Sequence, residues 1–138
     1  MSQSSKVSRS FGSISVKSPA VQSSFLTADT TLGTSHAGDN IFLSSTTGTT
    51  LTLPSPSSSL AFHITVAALP LSGEHSVVGS SNLHGALAAA SAPIVAAGSS
   101  SLTTGAGAAL GDSIHLISDG NNWFVSGTAT TDTSFVAA

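Results

Sequence analysis

The stretch Ser113-Ile-His-Leu-Ile-Ser-Asp-Gly-Asn-Asn-Trp-Phe-Val-Ser126 decides the fold of this chain. Apolar and polar side chains alternate on both sides of a short polar segment that contains Asp119-Gly120. Alternation with a period of two is typical of a strand with one buried face, and an Asp-Gly pair supplies the positive φ that tight hairpin turns need. The sequence therefore predicts a β-hairpin whose strands cover residues 113–118 and 123–126.

Weaker forms of the same signal lie upstream of the hairpin. Apolar alternation separated by turn residues marks segments 41–43, 49–53, 61–67, 74–79 and 83–87. In segment 61–67 the apolar side chains fall on one face, and His63 and Thr65 fall on the other. Segment 86–92 has helical propensity but neither a charged face nor an N-cap, so a short helix and a close-packed strand both remain open. Short strands at turn-separated intervals predict an all-β fold, a small antiparallel β-sandwich or barrel.

Charged residues are scarce in this chain of 138 residues. There are three Lys or Arg and six Asp or Glu, so that 7% of the residues are charged, whereas about a quarter is usual in soluble domains. So few charges leave little repulsion between copies, which favours a structural component of an assembly over an enzyme. The net charge of −3 and the lack of a basic cluster argue against a nucleic-acid partner.

Targeting signals are not visible in the sequence either. The N-terminus has no continuous apolar segment of the kind that signal peptides carry. The most apolar stretch, residues 86–98, is too short to cross a bilayer and contains Pro93. We therefore expect no membrane partner and synthesis in the cytoplasm of the producing cell. The chain has no cysteine, so disulfides and thiolate metal sites are excluded.

The basic residues are all found near the N-terminus. Lys6, Arg9 and Lys17 are the only cations, and Phe11 is an isolated aromatic residue among them. We interpret residues 1–28 as an extended N-terminal arm, residues 29–128 as the β domain and residues 129–138 as a C-terminal tail. A frayed, solvated terminus is the alternative reading of the arm.

No motif in the chain predicts catalysis or a cofactor. No window matches the G-x-S-x-G nucleophile elbow, and the glycine-rich segment 105–111 precedes a strand pattern, whereas a phosphate-binding loop precedes a helix. His36 and Asp39 could supply two metal ligands but lack a third, and the other histidines are scattered. The turn at Asp119 is explained by turn chemistry without Ca²⁺. We expect a non-enzymatic protein with no cofactor and no metal.

The hairpin region and an upstream segment resemble a known class of proteins. Residues 111–127, together with 49–54 and 60–66, resemble small β-rich virion proteins of tailed bacteriophages, which include head decoration (cement) proteins, head fibres and tail-fibre pieces. Such domains usually form trimers, so the resemblance implies a homotrimer. No catalytic residue is carried over from the resemblance.

Among these virion proteins the short chain with a basic arm favours a decoration protein. A trimer on the outer surface of the phage head would stabilise the shell, with the arm residues Lys6, Arg9, Phe11 and Lys17 contacting neighbouring major capsid protein subunits. The residues that we expect in the core or at the trimer interface are Phe62, Ile64, Val66, Ile114, Leu116, Trp123 and Val125. The alternative is a tail- or head-fibre module that binds host-surface carbohydrate, with Trp123 as the stacking platform.

Overall fold

The computed structural model of the chain describes residues 22–56 and 60–138, and the all-β prediction is confirmed. Its only helical element in those residues is the 3-10 turn Thr34–His36. One nearly closed, barrel-like sheet contains all the strands. The strands are β1 (Ser23–Leu26), β2 (Thr30–Thr31), β3 (Asn40–Leu43), β4 (Thr49–Thr52), β5 (Ala61–Val66), β6 (His75–Leu87), β7 (Ile94–Thr104), β8 (Ser113–Ser118), β9 (Trp123–Thr128) and β10 (Phe135–Ala137).

The first six strands stack as three parallel coils. Coil 1 is β1 and β2, coil 2 is β3 and β4, and coil 3 is β5 with the first part of β6. On one side β1 pairs with β3 and β3 with β5, and on the other β2 pairs with β4 and β4 with β6, all in parallel. The antiparallel prediction is therefore wrong for this half, because strands that follow each other in the chain lie on opposite sides of the stack.

The second half of the sheet is mostly antiparallel and begins on coil 3. β8 pairs with β5, and β9 pairs with β8 in a register that sets Ser118 opposite Trp123. The hairpin prediction is confirmed. Its turn is held by the Asp119 carboxylate, which accepts hydrogen bonds from the backbone N–H groups of Asn121 at 2.9 Å and Asn122 at 2.8 Å.

The long strand β6 connects the two halves. Its first part pairs with β4, its second part pairs in parallel with β9, and β7 runs antiparallel along its other edge. The pairing with β7 is irregular between Val78 and His84, which lets one strand serve both halves. At Gly85 φ is +129°, and a Cβ there would collide with the backbone of Val125, so only glycine fits this crossing.

Segment 86–92 is not a helix. β6 continues to Leu87, Ala88 forms a parallel bridge to Thr128, and β7 begins at Ile94 after Pro93. The interpretation of this segment as strand or irregular backbone is confirmed, with strand to Leu87 and irregular backbone from Ala89 to Pro93. The Ala88 N–H donates to the Gly127 carbonyl at 3.0 Å, and the Ala129 N–H donates to the Ala88 carbonyl at 2.8 Å. Small side chains suit this position because the two backbones approach closely.

The core lies inside the barrel-like sheet, where strands contribute alternate side chains. All seven residues that the sequence places in the core or at an interface are buried, with at most 5% of each side chain exposed. Trp123 is fully buried, and its ring packs against Phe62 with 5.5 Å between centroids. The outward neighbours of these residues along each strand form the outer surface of the sheet.

The sheet extends beyond the domain limits drawn on the sequence. β1 lies within the segment assigned to the arm, and β10 lies within the segment assigned to the tail and pairs with β7. Phe135 of β10 is only 4% exposed. These strands are too short to show clear alternation in the sequence, so they are recognised only from their pairing and burial in the structure. Lys6, Arg9, Phe11 and Lys17 lie outside the described residues.

Candidate functional site

The most distinctive surface of the chain is the outward face of five adjacent strands, which we call the outer wall. It is formed by the outward side chains of β5, β8, β9, residues 83–87 of β6 and residues 94–99 of β7. One row of paired positions runs across it in an unbroken sequence. The row is Ala61, Ile117, Phe124, His84 and Ala97.

The outer wall exposes apolar side chains and carries no permanent charge. Ile117 is 58% exposed, Phe124 46% and Val95 58%. No Asp, Glu, Lys or Arg occurs anywhere in β5 to β9. Protein surfaces usually carry interspersed charges, and depletion of charge with exposed aromatic and aliphatic groups is typical of the centre of an interface. The outer wall therefore has the composition of a contact surface.

Two histidines lie side by side on the outer wall. His63 of β5 is paired with His115 of β8, and their ring centroids are 3.9 Å apart. Partial burial and the nearby charge of His115 lower the pKa of His63 below its ordinary value of 6.5. Since two adjacent imidazolium rings repel each other, the lowered pKa of His63 means that this side chain gains its charge only on stronger acidification than a free histidine needs.

The hairpin turn bounds the outer wall with a carboxylate. Hydrogen bonds from the backbone N–H groups of Asn122 and Asn121 lower the pKa of Asp119, and the charge of His84 contributes. Asp119 is fully exposed, so it stays ionised and hydrated at the rim. Asp119 thus places a carboxylate at the edge of a surface that contains no other Asp or Glu in β5 to β9, and charged groups are typical of the rim of an interface.

Trp123 does not take part in the outer wall. It is fully buried and its indole N–H donates to the Pro54 carbonyl at 3.2 Å. A buried indole cannot stack on a sugar, so the interpretation of Trp123 as a carbohydrate platform is wrong. The alternation places Phe124 outward instead, one residue further along β9.

An open cleft of about 370 Å³ lies at the end of β7, beside the glycine-rich loop. Gly105, Ala106 and Ala108 line one side and Glu74 the other. The loop is held by Asp112, a buried carboxylate that accepts hydrogen bonds from the Ala109 N–H, the Thr130 N–H and the Thr130 hydroxyl. The hydrogen bonds of Asp112 thus hold the loop in place. Among the residues that line the cleft, Glu74 is the only charged one.

The sequence-level metal candidates do not come together. His36 Nδ1 accepts a hydrogen bond from the Gly33 N–H at 3.3 Å, whereas Asp39 accepts one from the Ser24 hydroxyl at 3.3 Å. Within residues 22–56 and 60–138, no three His, Asp or Glu side chains gather as a metal site would require. Both side chains instead serve local turn and edge contacts.

Comparison of the chain with protein-family models, with curated proteins and with solved structures finds no significant match. In the part of the chain that the structure describes, no helix is long and apolar enough to span a lipid bilayer.

Proposed function

We propose that this chain is a non-enzymatic structural protein of a phage virion, a trimeric decoration protein that binds the outer surface of the head. The observation that carries the proposal is the outer wall, which exposes Val95, Ile117 and Phe124 and contains no Asp, Glu, Lys or Arg over five strands. Exposed apolar side chains that lie together on a charge-free surface usually mark a site that another molecule covers. The resemblance of residues 111–127 to phage virion proteins is the reason for proposing a phage head as the location.

In the proposed assembly the outer wall joins the copies of the trimer. Phe124 and Ile117 are the anchors, because they are large, apolar and adjacent in the register between β8 and β9. Burial of apolar area stabilises an interface by about 25 cal/mol per Å² before ordering costs. The charge-free wall lets copies approach without repulsion.

The basic N-terminal arm provides the proposed contact with the shell. Lys6, Arg9 and Lys17 are the only cations of the chain, and every acidic residue lies at Asp29 or beyond. Opposite charges thus occupy the two parts of the chain. In the proposal the arm reaches over neighbouring capsid subunits and adds buried area across their joints.

The trimer contact is tested by light scattering on the purified protein. We expect a trimer for the wild type and a monomer for Phe124→Glu, because the variant places a charge at the centre of the outer wall. Leu71→Glu is the matched control: Leu71 is 89% exposed and lies between β5 and β6, away from the outer wall. A monomeric wild type, or a trimer that Phe124→Glu leaves intact, would refute the wall as the trimer contact.

Attachment to the head is tested by co-expression with the major capsid protein of the phage that encodes this chain. We expect cryo-electron microscopy of the heads to show one trimer at each local three-fold position. A protein lacking residues 1–21 should decorate the heads only weakly. Undecorated heads with the full chain would contradict the decoration role, and full occupancy without the arm would contradict the arm's role.

A further inference from the structure

The open end of the coil stack presents an unpaired strand edge. Among the described residues β1 ends the strand order and pairs only with β3. The Asn40 N–H donates to the Gln22 carbonyl at 2.9 Å, and the Ser44 N–H donates to the Leu26 carbonyl at 3.0 Å. Because bonding alternates along a parallel strand, Gln22, Ser24 and Leu26 face β3. The N–H and C=O groups of Ser23 and Phe25 therefore point away from the sheet.

This edge lacks the devices that usually prevent strand addition. Between Gln22 and Ala28 there is no charged residue and no proline, the two commonest protections of an exposed edge. Phe25 is 67% exposed and stacks on Phe42 of β3, with ring centroids 5.1 Å apart and an angle of 17°. The edge is thus flanked by an aromatic surface that an added strand would cover.

We propose that β1 pairs antiparallel with β1 of a second copy of this chain, about a two-fold axis at Ser24. In this register Ser23 of each copy faces Phe25 of the other, and each pair exchanges both backbone hydrogen bonds. A second copy offers a strand with the same outward N–H and C=O groups and with no charge of its own between Gln22 and Ala28. The nearest carboxylate, Asp39 of β3, accepts a hydrogen bond from the Ser24 hydroxyl at 3.3 Å. The two Phe25 side chains lie on the same face as diagonal neighbours, within reach of each other, and extend the stack that begins at Phe42.

The edge contact differs from the proposed trimer contact in place and in strength. It involves β1 and Phe42, whereas the outer wall spans β5 to β9. A single strand pair with its rings buries less than the roughly 1,200 Å² of a standard stable interface. We therefore expect a weak, concentration-dependent association that becomes effective where copies are held close together on one particle.

The experiment uses the full chain and measures mass and amide exchange over a wide concentration range. We expect the mass of the smallest species to double as concentration rises, with protection of the Ser23 and Phe25 amides rising in parallel. The Ser24 amide faces β3 and should be protected at every concentration, which makes it an internal control. Since the mass is compared with that of the smallest species, the readout serves for a monomer, which doubles, and for a trimer, whose three β1 edges carry the mass to at least twice its starting value.

Two variants separate backbone pairing from ring stacking. Phe25→Pro removes an outward N–H without removing a hydrogen bond to β3, and proline is tolerated at such edge positions. We expect this variant to raise the dissociation constant of the association at least tenfold. Phe25→Thr keeps the N–H and loses the ring, so we expect a smaller weakening and a folded protein by circular dichroism. Leu71→Thr removes an exposed apolar group elsewhere and should change nothing.

Three results would overturn the edge pairing. The first is a mass that does not double at any concentration, and the second is a doubling that neither Phe25 variant weakens. The third is protection of the Ser23 and Phe25 amides at the lowest concentration, which would show that the edge is covered within a single chain.

Discussion

Thr49 and His75 face each other in the register between β4 and β6, and each has one buried polar atom without a partner among the described residues. The atoms are the Thr49 hydroxyl and His75 Nδ1. The other imidazole nitrogen, Nε2, donates to the Ala68 carbonyl at 2.8 Å, because a carbonyl oxygen can only accept. His75 is therefore anchored on one side, whereas the Thr49 hydroxyl gains nothing from its position.

We predict that Thr49→Val raises the free energy of unfolding by about 1 kcal/mol, because valine keeps the shape and removes an unpartnered buried hydroxyl. Thr49→Ser is the matched control: it keeps the hydroxyl, loses a methyl group and should lower the free energy by about 1 kcal/mol. Urea unfolding of the two variants measures both values. A loss of stability in Thr49→Val would show that the hydroxyl has a partner.

His63 makes the stability depend on pH. Its pKa is lowered in the folded chain by burial and by the charge of His115, so below about pH 6.5 the unfolded chain binds more protons than the folded one. The stability from this group is therefore full above the unfolded pKa and falls as the pH drops from there toward the lower, folded pKa. Asn40 of β3, the other residue paired with His63, is neutral.

We expect the urea midpoint of the wild type to fall between about pH 7.5 and pH 5, and to fall less in His63→Gln. His115→Gln should also reduce the fall, since it removes the charge that repels protonated His63. Midpoints measured in the same buffer series give the comparison. Equal pH slopes in all three proteins would exclude His63 as a source of the dependence.

At the scale of single elements, the alternation pattern located most strands but did not choose their partners. Both strands of the 113–126 hairpin were predicted, because their side chains alternate and the turn has its own chemistry. The parallel pairing of the coils is not predicted by the sequence, because short turns join strands such as β3 and β4 just as they join the strands of a hairpin. Parallel strands usually show continuous apolar runs, but β4 and β5 alternate buried, mostly apolar side chains with mostly polar outward ones and therefore look like antiparallel strands.

The C-terminal strand provides a test at this scale. Phe135 is 4% exposed and its neighbour Val136 is 56% exposed, although both lie in β10. Phe135→Ala should lower the free energy of unfolding by about 3 kcal/mol because it leaves a cavity in the core. Val136→Ala, on the outward face of the same strand, should change it by less than about 0.5 kcal/mol. Equal effects of the two changes would show that β10 is not docked as described.

At the scale of the whole molecule, two surfaces are arranged for contact in different directions. The outer wall lies on the side of the sheet, and the open edge of β1 lies at the end of the coil stack. The outer wall could be predicted in part, because the alternation of segment 61–67 already places His63 outward and that of the hairpin places His115 outward. The open edge could not, since an edge exists only once the strand order is known.

The sequence by itself determined the all-β class, the hairpin at 113–126, the inward side chains of the core and the near absence of charge. These depend on local properties, namely the period of two along a strand, turn chemistry and composition. Only the tertiary structure decided that the first strands form parallel coils, that Trp123 is fully buried and that β10 pairs with β7. Strand pairing joins residues far apart in the chain, and the free energy that selects a partner comes from burying a shared core, which no short segment encodes alone.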